Sequence, residues 1–424
     1  MRIQISGARL IDPANQLDQI CDIFIEGGKI AALGDKPAGF SVEQLIDGRG
    51  LVAAPGLVDI NASLREPGYG RKGNIASETR AAAGGGVTSI CCTPFTKPVL
   101  DTPAVAELIL DQARDHGSTR VFPLGAFTQG LAGENLAELV TLRDAGCVAF
   151  TNGLVPFANN RLLRHALEYA ATFDLTVIFH PQDRDLAEGG IAHESAAASF
   201  RGLSGIPETA ETVALSRDLL LVEQSGVRAH FSQITTARGA RLIAKAQQRG
   251  LNVTADVALY QLILTDEAVL DFSSQYHVQP PLRSIEDREG LREAVRSGVI
   301  GVLASHHQPH EVDAKQDPFA ATEPGISSIE LMLPLALSLV REGVLDLPTA
   351  IERMTIGPAQ AMRLDAGSLG VGARADLVLF DPEGQTLTGE NWLSKGGNCP
   401  FLGHHLPGRV RYTMLNGRIS FKQG

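Results

Sequence analysis

Residues 147–180 read CVAFTNGLVPFANNRLLRHALEYAATFDLTVIFH. The stretch begins with a short apolar run, continues with Leu162, Leu163 and Leu167 at helical spacing, and ends with a second apolar run that stops at His180. Apolar runs of this kind are typical of parallel strands that are buried on both faces, and a helix between two of them makes a β-α-β unit. The stretch therefore predicts one unit of an α/β fold.

The same alternation of strand and helix patterns continues over most of the chain. The strand candidates are residues 56–60, 87–91, 121–127, 147–150, 175–180, 227–231, 251–256 and 299–304. Helical periodicity is clearest in residues 103–116, 160–173 and 207–224. Eight strands alternating with helices over ~250 residues predict a (β/α)8 TIM barrel. The alternative is an open doubly wound sheet, which would need fewer strands.

The two ends of the chain have a different pattern. Both contain short strand-like runs joined by glycine turns, and the second end includes the hairpin signal Asn416-Gly417. We therefore predict two structural units. Residues 53–365 form the barrel, and residues 1–52 and 366–424 together form a small β-sandwich beside it.

The amino-acid composition excludes some classes of binding partner. The 424-residue chain is 44% hydrophobic and 20% charged, with a net charge of −11 and no cluster of Lys and Arg. This balance argues against nucleic acid and anionic membranes as main partners. The strongest apolar run, residues 331–340, is too short for a bilayer span of about 20 residues. The N-terminus lacks a signal-peptide pattern and the five cysteines lack ligand spacing, so we expect a cytoplasmic protein with reduced thiols.

Several motifs carry a family resemblance. They are PGLVDI (55–60), LREPG (64–68), SHHQPH (305–310) and GVGARADLVLFDP (370–382). Together they resemble the amidohydrolase superfamily, and specifically dihydroorotase of the long bacterial type. The resemblance implies a TIM barrel that closes carbamoyl aspartate to dihydroorotate with one or two zinc ions held by His and carboxylate ligands.

The metal positions implied by this resemblance are mostly substituted. The family's His-x-His is replaced by Asn61 and Ser63, its acidic turn ligand by Asn152, a ligand His by Gln233, and the acid/base Asp by His306, while His180 is retained. Catalytic zinc needs about three protein ligands. We therefore predict a degenerate site with no zinc cofactor and no catalytic residue. The alternative is a rearranged metal site that uses His306, His307 and His310 together with His180.

The positions that would hold the substrate are partly kept. Arg65 and His310 match the family's anion-binding residues, so they form a possible vestigial anion site. Arg65 has a structural alternative, a pairing with Glu66 or with a loop carbonyl. Phe95 stands where the family has an asparagine, and it is expected to block the pocket or exclude water from it.

An intact scaffold with substituted ligands resembles the noncatalytic dihydroorotase-like chain that some bacteria assemble with aspartate carbamoyltransferase. The resemblance implies a structural subunit in pyrimidine biosynthesis, in which the transferase chain is the partner that carries out the chemistry. It also implies a homo-oligomer within a larger hetero-complex. Two alternatives stay open: an active cyclic amidohydrolase with a rearranged metal site, and a module that binds a small dicarboxylate.

Overall fold

The first structural unit begins at the N-terminus. The computed structural model describes residues 1–423, and its first five strands belong to one mixed sheet. These strands are β1 (Arg2–Asp12), β2 (Leu17–Glu26), β3 (Lys29–Leu33), β4 (Gln44–Asp47) and β5 (Val52–Pro55). The terminal unit therefore extends to Pro55 on this side, a few residues beyond the expected boundary at 52, because β5 pairs with β1.

The next segment of the chain forms the barrel. Eight parallel strands hydrogen-bond to one another in chain order, and two short strands form a separate pair. The strands are β6 (Leu57–Ala62), β7 (Val87–Cys92), β8 (Arg120–Ala126), β9 (Ala149–Thr151), β10 (Thr176–Phe179), the pair β11 (Ala192–His193) and β12 (Gly205–Ile206), β13 (Arg228–Phe231), β14 (Val253–Ala258) and β15 (Val302–Ala304). All eight strand candidates lie in this barrel, and the predicted fold class is confirmed.

Helices connect the barrel strands and cover the outside of the barrel. They are α1 (Ile75–Gly84), α2 (Pro103–His116), α3 (Leu139–Asp144), α4 (Asn160–Thr172), α5 (Arg184–Ala187), α6 (Ala196–Phe200), α7 (Glu208–Ser225), α8 (Ala237–Gln248), α9 (Ile285–Arg296), α10 (Met332–Arg341), α11 (Leu347–Met354) and α12 (Ile356–Ala361). Within residues 1–423, no helix has both the length and the apolarity that a bilayer crossing requires.

The chain returns to the terminal sheet after the barrel. Strands β16 (Leu377–Leu387), β17 (His405–Leu415) and β18 (Arg418–Lys422) complete it, with β16 paired to β5. The sheet packs closely on the barrel at Gly86, where a Cβ atom would lie 2.8 Å from Val378 Cγ2. Gly86 also has a φ of 86°, so the close approach and the backbone conformation both favour glycine.

Side chains close the barrel between its first and last strands. The Asp59 carboxylate accepts hydrogen bonds from the Ser305 hydroxyl and from the Ser305 backbone N–H (3.0 Å). The Ser63 backbone N–H donates to the His307 carbonyl at 2.9 Å. In a parallel barrel all the carboxyl ends of the strands lie at one face, which we call the mouth. These bonds therefore hold the substituted positions of the first and last strands next to each other.

Two of the five cysteines are adjacent in the sequence and lie inside the barrel. Cys91 and Cys92 lie in β7 and are buried, so they belong to the core. Burial raises the pKa of Cys92 to about 12. The thiols are therefore protonated, inert packing groups.

Candidate functional site

The mouth of the barrel contains one continuous hydrogen-bonded cluster, which we call the strand-end network. Its members share a position at or just after the carboxyl end of a strand. They are Asn61, His180, His230, Ser232, Asp256 and His306. The network thus joins two of the substituted metal positions and the retained histidine to residues that the motifs did not single out.

Asp256 is the centre of this network. Its carboxylate accepts four hydrogen bonds, from His230 Nε2 (2.9 Å), Ser232 Oγ (2.8 Å), the Gln233 backbone N–H (2.8 Å) and His306 Nε2 (2.6 Å). Asp256 is fully buried. Desolvation alone would raise its pKa, but the neighbouring imidazoles and these donors outweigh it and hold the pKa of Asp256 far below its ordinary value. All four lone-pair directions of the carboxylate are therefore in use.

His180, the retained ligand position, is bound to protein atoms at both ring nitrogens. The Asn61 side-chain amide lies 3.2 Å from Nε2, and Thr151 Oγ1 lies 3.4 Å from Nδ1. Burial, together with the neighbouring His306, lowers the pKa of His180 to about 4. The ring is neutral at pH 7, and the tautomer that accepts from Asn61 and donates to Thr151 satisfies both contacts.

The other substituted positions are also occupied by bonds within the protein. Ser63 Oγ lies 3.1 Å from Thr93 Oγ1. Asn152 Oδ1 accepts from the hydroxyl of Thr128 at 2.7 Å. The Gln233 amide donates to the hydroxyl of Tyr260 at 2.9 Å. Each side chain that replaces a family ligand therefore stabilises the mouth by bonding to its own neighbours.

A zinc ion does not fit this set of donors. Over residues 1–423, no three His, Cys, Asp or Glu side chains surround a common point at which a metal could be held. The amide nitrogens of Asn61 and Gln233 are committed as donors, and zinc requires imidazole, thiolate or carboxylate ligands. No reaction step can be derived through a metal at these residues.

The three histidines of the SHHQPH motif face different surroundings. His306 donates to Asp256, whereas His307 Nε2 donates to the buried carboxylate of Glu78 at 2.9 Å. His307 Nδ1 accepts from the Ser328 backbone N–H at 3.0 Å, which fixes its neutral tautomer. His310 lies farther out, against Arg65. The geometry therefore does not bring these three rings together as a rearranged metal site would require.

The outer part of the mouth contains a second polar group, which we call the rim cluster: Arg65, Lys72, His310 and Glu323. Arg65 donates to the Pro309 carbonyl (3.1 Å) and approaches His310 Nε2 (3.2 Å), so the expected anion-binding pair does lie together. Lys72 Nζ is 3.2 Å from His310 Nδ1 and forms an ion pair with Glu323. The contact with the Pro309 carbonyl matches the structural alternative for Arg65, while Glu66 instead caps α1 through the Ile75 N–H.

The rim cluster carries cationic charge close to His310. Burial, together with the charges of Arg65 and Lys72, lowers the pKa of His310 to about 3. The neutral ring accepts from one cation and donates on its other side, either to Glu323 Oε2 (3.3 Å) or to the Pro324 carbonyl (3.0 Å). The anion that the cations face is thus the chain's own Glu323.

Phe95 and a small cavity define the space next to His180. The ring of Phe95 covers Gly153, because a Cβ atom built on Gly153 would lie 2.4 Å from Phe95 Cζ. The cavity lined by His180, Asn152 and Gly153 has a volume of about 40 Å³. Ligand pockets usually measure roughly 300–1,000 Å³, so this cavity holds at most a few water molecules.

Three residues of the mouth also have an unusual backbone conformation. Arg65, Gln233 and His306 have φ values of 64°, 59° and 48°, in the left-handed region that non-glycine residues rarely adopt. Such residues cost about 1–3 kcal/mol each and tend to cluster at functional sites. The strain at Arg65, Gln233 and His306 is therefore consistent with a functional role for this face of the barrel.

Sequence reasoning missed several residues of the mouth. Asp256 could have been found from the sequence, since an acidic residue at the end of an otherwise apolar strand needs a buried partner. The sequence gives no sign of Ser232, Lys72 and Glu323, because their contacts join segments far apart in the chain. Only the folded barrel brings these residues to one face.

The fold closely matches that of solved amidohydrolases. L-hydantoinase (dihydropyrimidinase) from Arthrobacter aurescens superimposes with a TM-score of 0.90 at 24% identity, covering 100% of this chain and 96% of that one. Dihydropyrimidinase from Brevibacillus agri gives a TM-score of 0.85 at 22% identity, covering 99% and 95%. At this level of identity the likeness establishes the fold alone, a (β/α)8 barrel with an attached β-sheet.

Sequence comparison is more specific. A dihydro-orotase-like family model matches residues 50–238, and an amidohydrolase family model matches residues 338–421. The chain is 70% identical over 99% of both lengths to a dihydroorotase-like protein of Pseudomonas aeruginosa, and 40% identical over 100% of both lengths to a dihydroorotase of Syntrophus aciditrophicus. The chain therefore belongs to the dihydroorotase-like family of amidohydrolases.

Proposed function

We propose that this dihydroorotase-like chain does not interconvert carbamoyl aspartate and dihydroorotate. Its function is structural: it is the noncatalytic subunit that aspartate carbamoyltransferase requires for assembly or activity in pyrimidine biosynthesis. One observation carries the first half of the proposal. The polar side chains at the strand ends bond to one another, and none of the substituted positions offers a free ligand to a metal.

The arrangement at Asp256 is the strongest support. A carboxylate that already accepts four donors cannot act as a metal ligand or as a general base without breaking those bonds. The metal-associated acid/base position holds His306, whose Nε2 is one of those donors. These contacts support the proposal that the mouth offers neither a metal-binding set nor the acid–base group that the family's reaction needs.

The size of the cavity supports the same conclusion. Dihydroorotate has a ring and a carboxylate, and it does not fit in about 40 Å³ beside His180. The Phe95 ring over Gly153 occupies space on that side of the mouth. In this cavity a substrate would have to displace packed side chains.

Metal analysis and an activity assay test the proposal that the chain is noncatalytic. The chain is purified from zinc-supplemented medium in parallel with a dihydroorotase. We expect well below one zinc per chain and no turnover above background in either direction. About one zinc per chain, together with turnover that a chelator abolishes, would establish instead an active amidohydrolase with a rearranged site.

The proposed partner is inferred from the resemblance to chains that assemble with aspartate carbamoyltransferase. It is inferred also from a scaffold that is intact while, under this proposal, the dihydroorotase reaction is lost. A lasting interface usually removes at least about 1,200 Å² from water. Size-exclusion chromatography with light scattering on a mixture with the transferase should give one heavy species. Separate elution at micromolar concentration, with transferase activity unchanged by this chain, would contradict the proposal.

The rim cluster favours a second candidate, a module that captures a small dicarboxylate. Arg65, Lys72 and His310 converge there, and a carboxylate of the chain already satisfies them. Calorimetric titration with carbamoyl aspartate and dihydroorotate separates the two functions. Submillimolar binding to the wild-type chain would favour the module, whereas no heat of binding would favour the structural subunit.

A further inference from the structure

The charge of the molecule is concentrated at the mouth. The loops that follow the eight barrel strands contain sixteen Asp and Glu against eight Lys and Arg, a net charge of −8 out of the chain's −11. These loops are residues 63–74, 93–102, 127–138, 152–159, 180–207, 232–236, 259–284 and 305–331. The mouth face is therefore a strongly acidic surface, and the remaining faces are close to neutral.

Two aromatic side chains project from this acidic face. Phe200 at the end of α6 is 80% exposed, and Phe272 in the loop after β14 is 45% exposed. The guanidinium of Arg201 lies against both rings, with Cζ 5.6 Å from the Phe200 centroid and 5.1 Å from the Phe272 centroid. We call these three residues the aromatic-arginine cluster.

The guanidinium of Arg201 is not fully satisfied within residues 1–423. Its buried Nε has no hydrogen-bond acceptor there. Exposed Phe next to a stacked Arg is the composition of the energetically dominant centre of protein interfaces. An exposed face of this kind is stabilised when a partner covers the rings and supplies an acceptor.

We infer that the mouth face, centred on the aromatic-arginine cluster, is the surface by which this chain docks on a second protein whose contacting face is basic. That face has an apolar socket for Phe200 and an acceptor for Arg201. Under the proposed function, on which this inference rests, the second protein is aspartate carbamoyltransferase. A second copy of this chain is disfavoured as the occupant because two acidic mouths repel each other.

The experiment compares variants of the intact chain in binding to the transferase, measured by interferometry. Phe200→Ser with Phe272→Ser should weaken binding at least about 30-fold, as expected for a central aromatic anchor. Ile20→Ser is the matched control, because Ile20 is 77% exposed and lies in β2 of the terminal sheet. The control should bind like the wild type, and unchanged urea midpoints would show that all variants are folded.

Charge reversal gives a second, independent readout. Glu267→Lys with Asp271→Lys, next to Phe272, should slow association about tenfold and reduce its dependence on salt. If the wild type binds but neither double variant differs from it, the docking inference fails and the proposed function stands. If Ile20→Ser weakens binding and the mouth variants do not, the partner docks on the terminal sheet, which also overturns the inference.

Two further outcomes are informative. If the wild-type chain forms no complex with the transferase, the proposed function fails and this inference fails with it. If light scattering shows that Phe200→Ser with Phe272→Ser dissociates a dimer of this chain, the occupant is a second copy and not a basic partner. Each result therefore supports or rejects a stated part of the argument.

Discussion

The strand-end network and the rim cluster lie at the same face of the barrel, but they use their polar groups differently. In the network, the Asp256 carboxylate is fully buried and each of its lone pairs meets a donor. In the rim cluster, the carboxylate of Glu323 is half exposed and holds two neighbouring groups from the solvent side. Polar groups are thus satisfied deep in the barrel by fixed internal bonds, and near the surface by one half-exposed side chain.

This difference decides what each region contributes. Deep in the mouth, removing one partner leaves several buried groups unsatisfied, so the region contributes mainly to stability. At the rim, water can replace a lost ion-pair partner, so we expect the Lys72–Glu323 ion pair to contribute little to stability and the rim cations to remain able to bind anions. The predictions that follow test this division, from the largest expected effect to the smallest.

Asp256→Ala should cause the largest loss of stability. The change leaves buried donors on His230, Ser232 and His306 without an acceptor, and breaking a buried charged network in this way costs about 3–5 kcal/mol. Urea unfolding at pH 7.5 measures the free energy of unfolding. The matched control is Asp218→Asn. Asp218 is a second buried carboxyl group, whose pKa burial raises to about 6 and whose partner is Arg217. We expect this variant to lose about 1 kcal/mol of its free energy of unfolding. Equal losses in the two variants would show that the strand-end network contributes no more to stability than another buried carboxylate does.

His310→Gln should change the response of stability to pH. The pKa of His310 is about 3 in the folded protein and 6.5 in the unfolded chain, so between these values only the unfolded chain binds the proton. The contribution is complete above pH 6.5 and decreases as the pH falls, by about 2 kcal/mol at pH 5. The variant should lose about 2 kcal/mol less than the wild type between pH 7.5 and pH 5 in urea unfolding. Parallel pH profiles would show that burial and the charges of Arg65 and Lys72 do not hold His310 neutral.

Glu323→Gln should expose the rim cations to anions from solution. The amide no longer pairs with Lys72, so a dicarboxylate such as carbamoyl aspartate should bind about tenfold more tightly than to the wild type, which corresponds to about 1.4 kcal/mol. Calorimetric titration measures the change. Glu311→Gln is the matched control, since Glu311 is 3.9 Å from Lys72 and makes no hydrogen bond with it. The same affinity in wild type and both variants would exclude the rim as an anion site.

The fold could be predicted from the sequence because it depends on repeated local patterns. Eight apolar runs and the helices between them needed only the periodicity of buried strands and amphipathic helices, and their bounds shifted by a few residues. The substituted positions could be located because motifs placed Asn61, Gln233 and His306 at strand ends. The partners of these residues could not be predicted, since Asn61 and Ser232, or Lys72 and Glu323, meet only when the barrel closes.

The smallest effect is expected from restoring the first two family ligands, Asn61→His with Ser63→His. Zinc would then have the two introduced imidazoles and His180, which is enough for binding. The carboxylates that Asn152 and His306 replace would still be absent, and general acid–base catalysis typically contributes about 10²–10⁴-fold.

Asn61 and Ser63 are both buried, at 7% and 4% exposure, so the larger histidine rings would also cost roughly 1–3 kcal/mol of stability through overpacking. We therefore expect no dihydroorotase turnover from the double variant, whatever its zinc content. A variant that also carries Asn152→Asp and His306→Asp is the comparison, and turnover in the double variant alone would show that the missing acid–base groups are not what prevents the reaction.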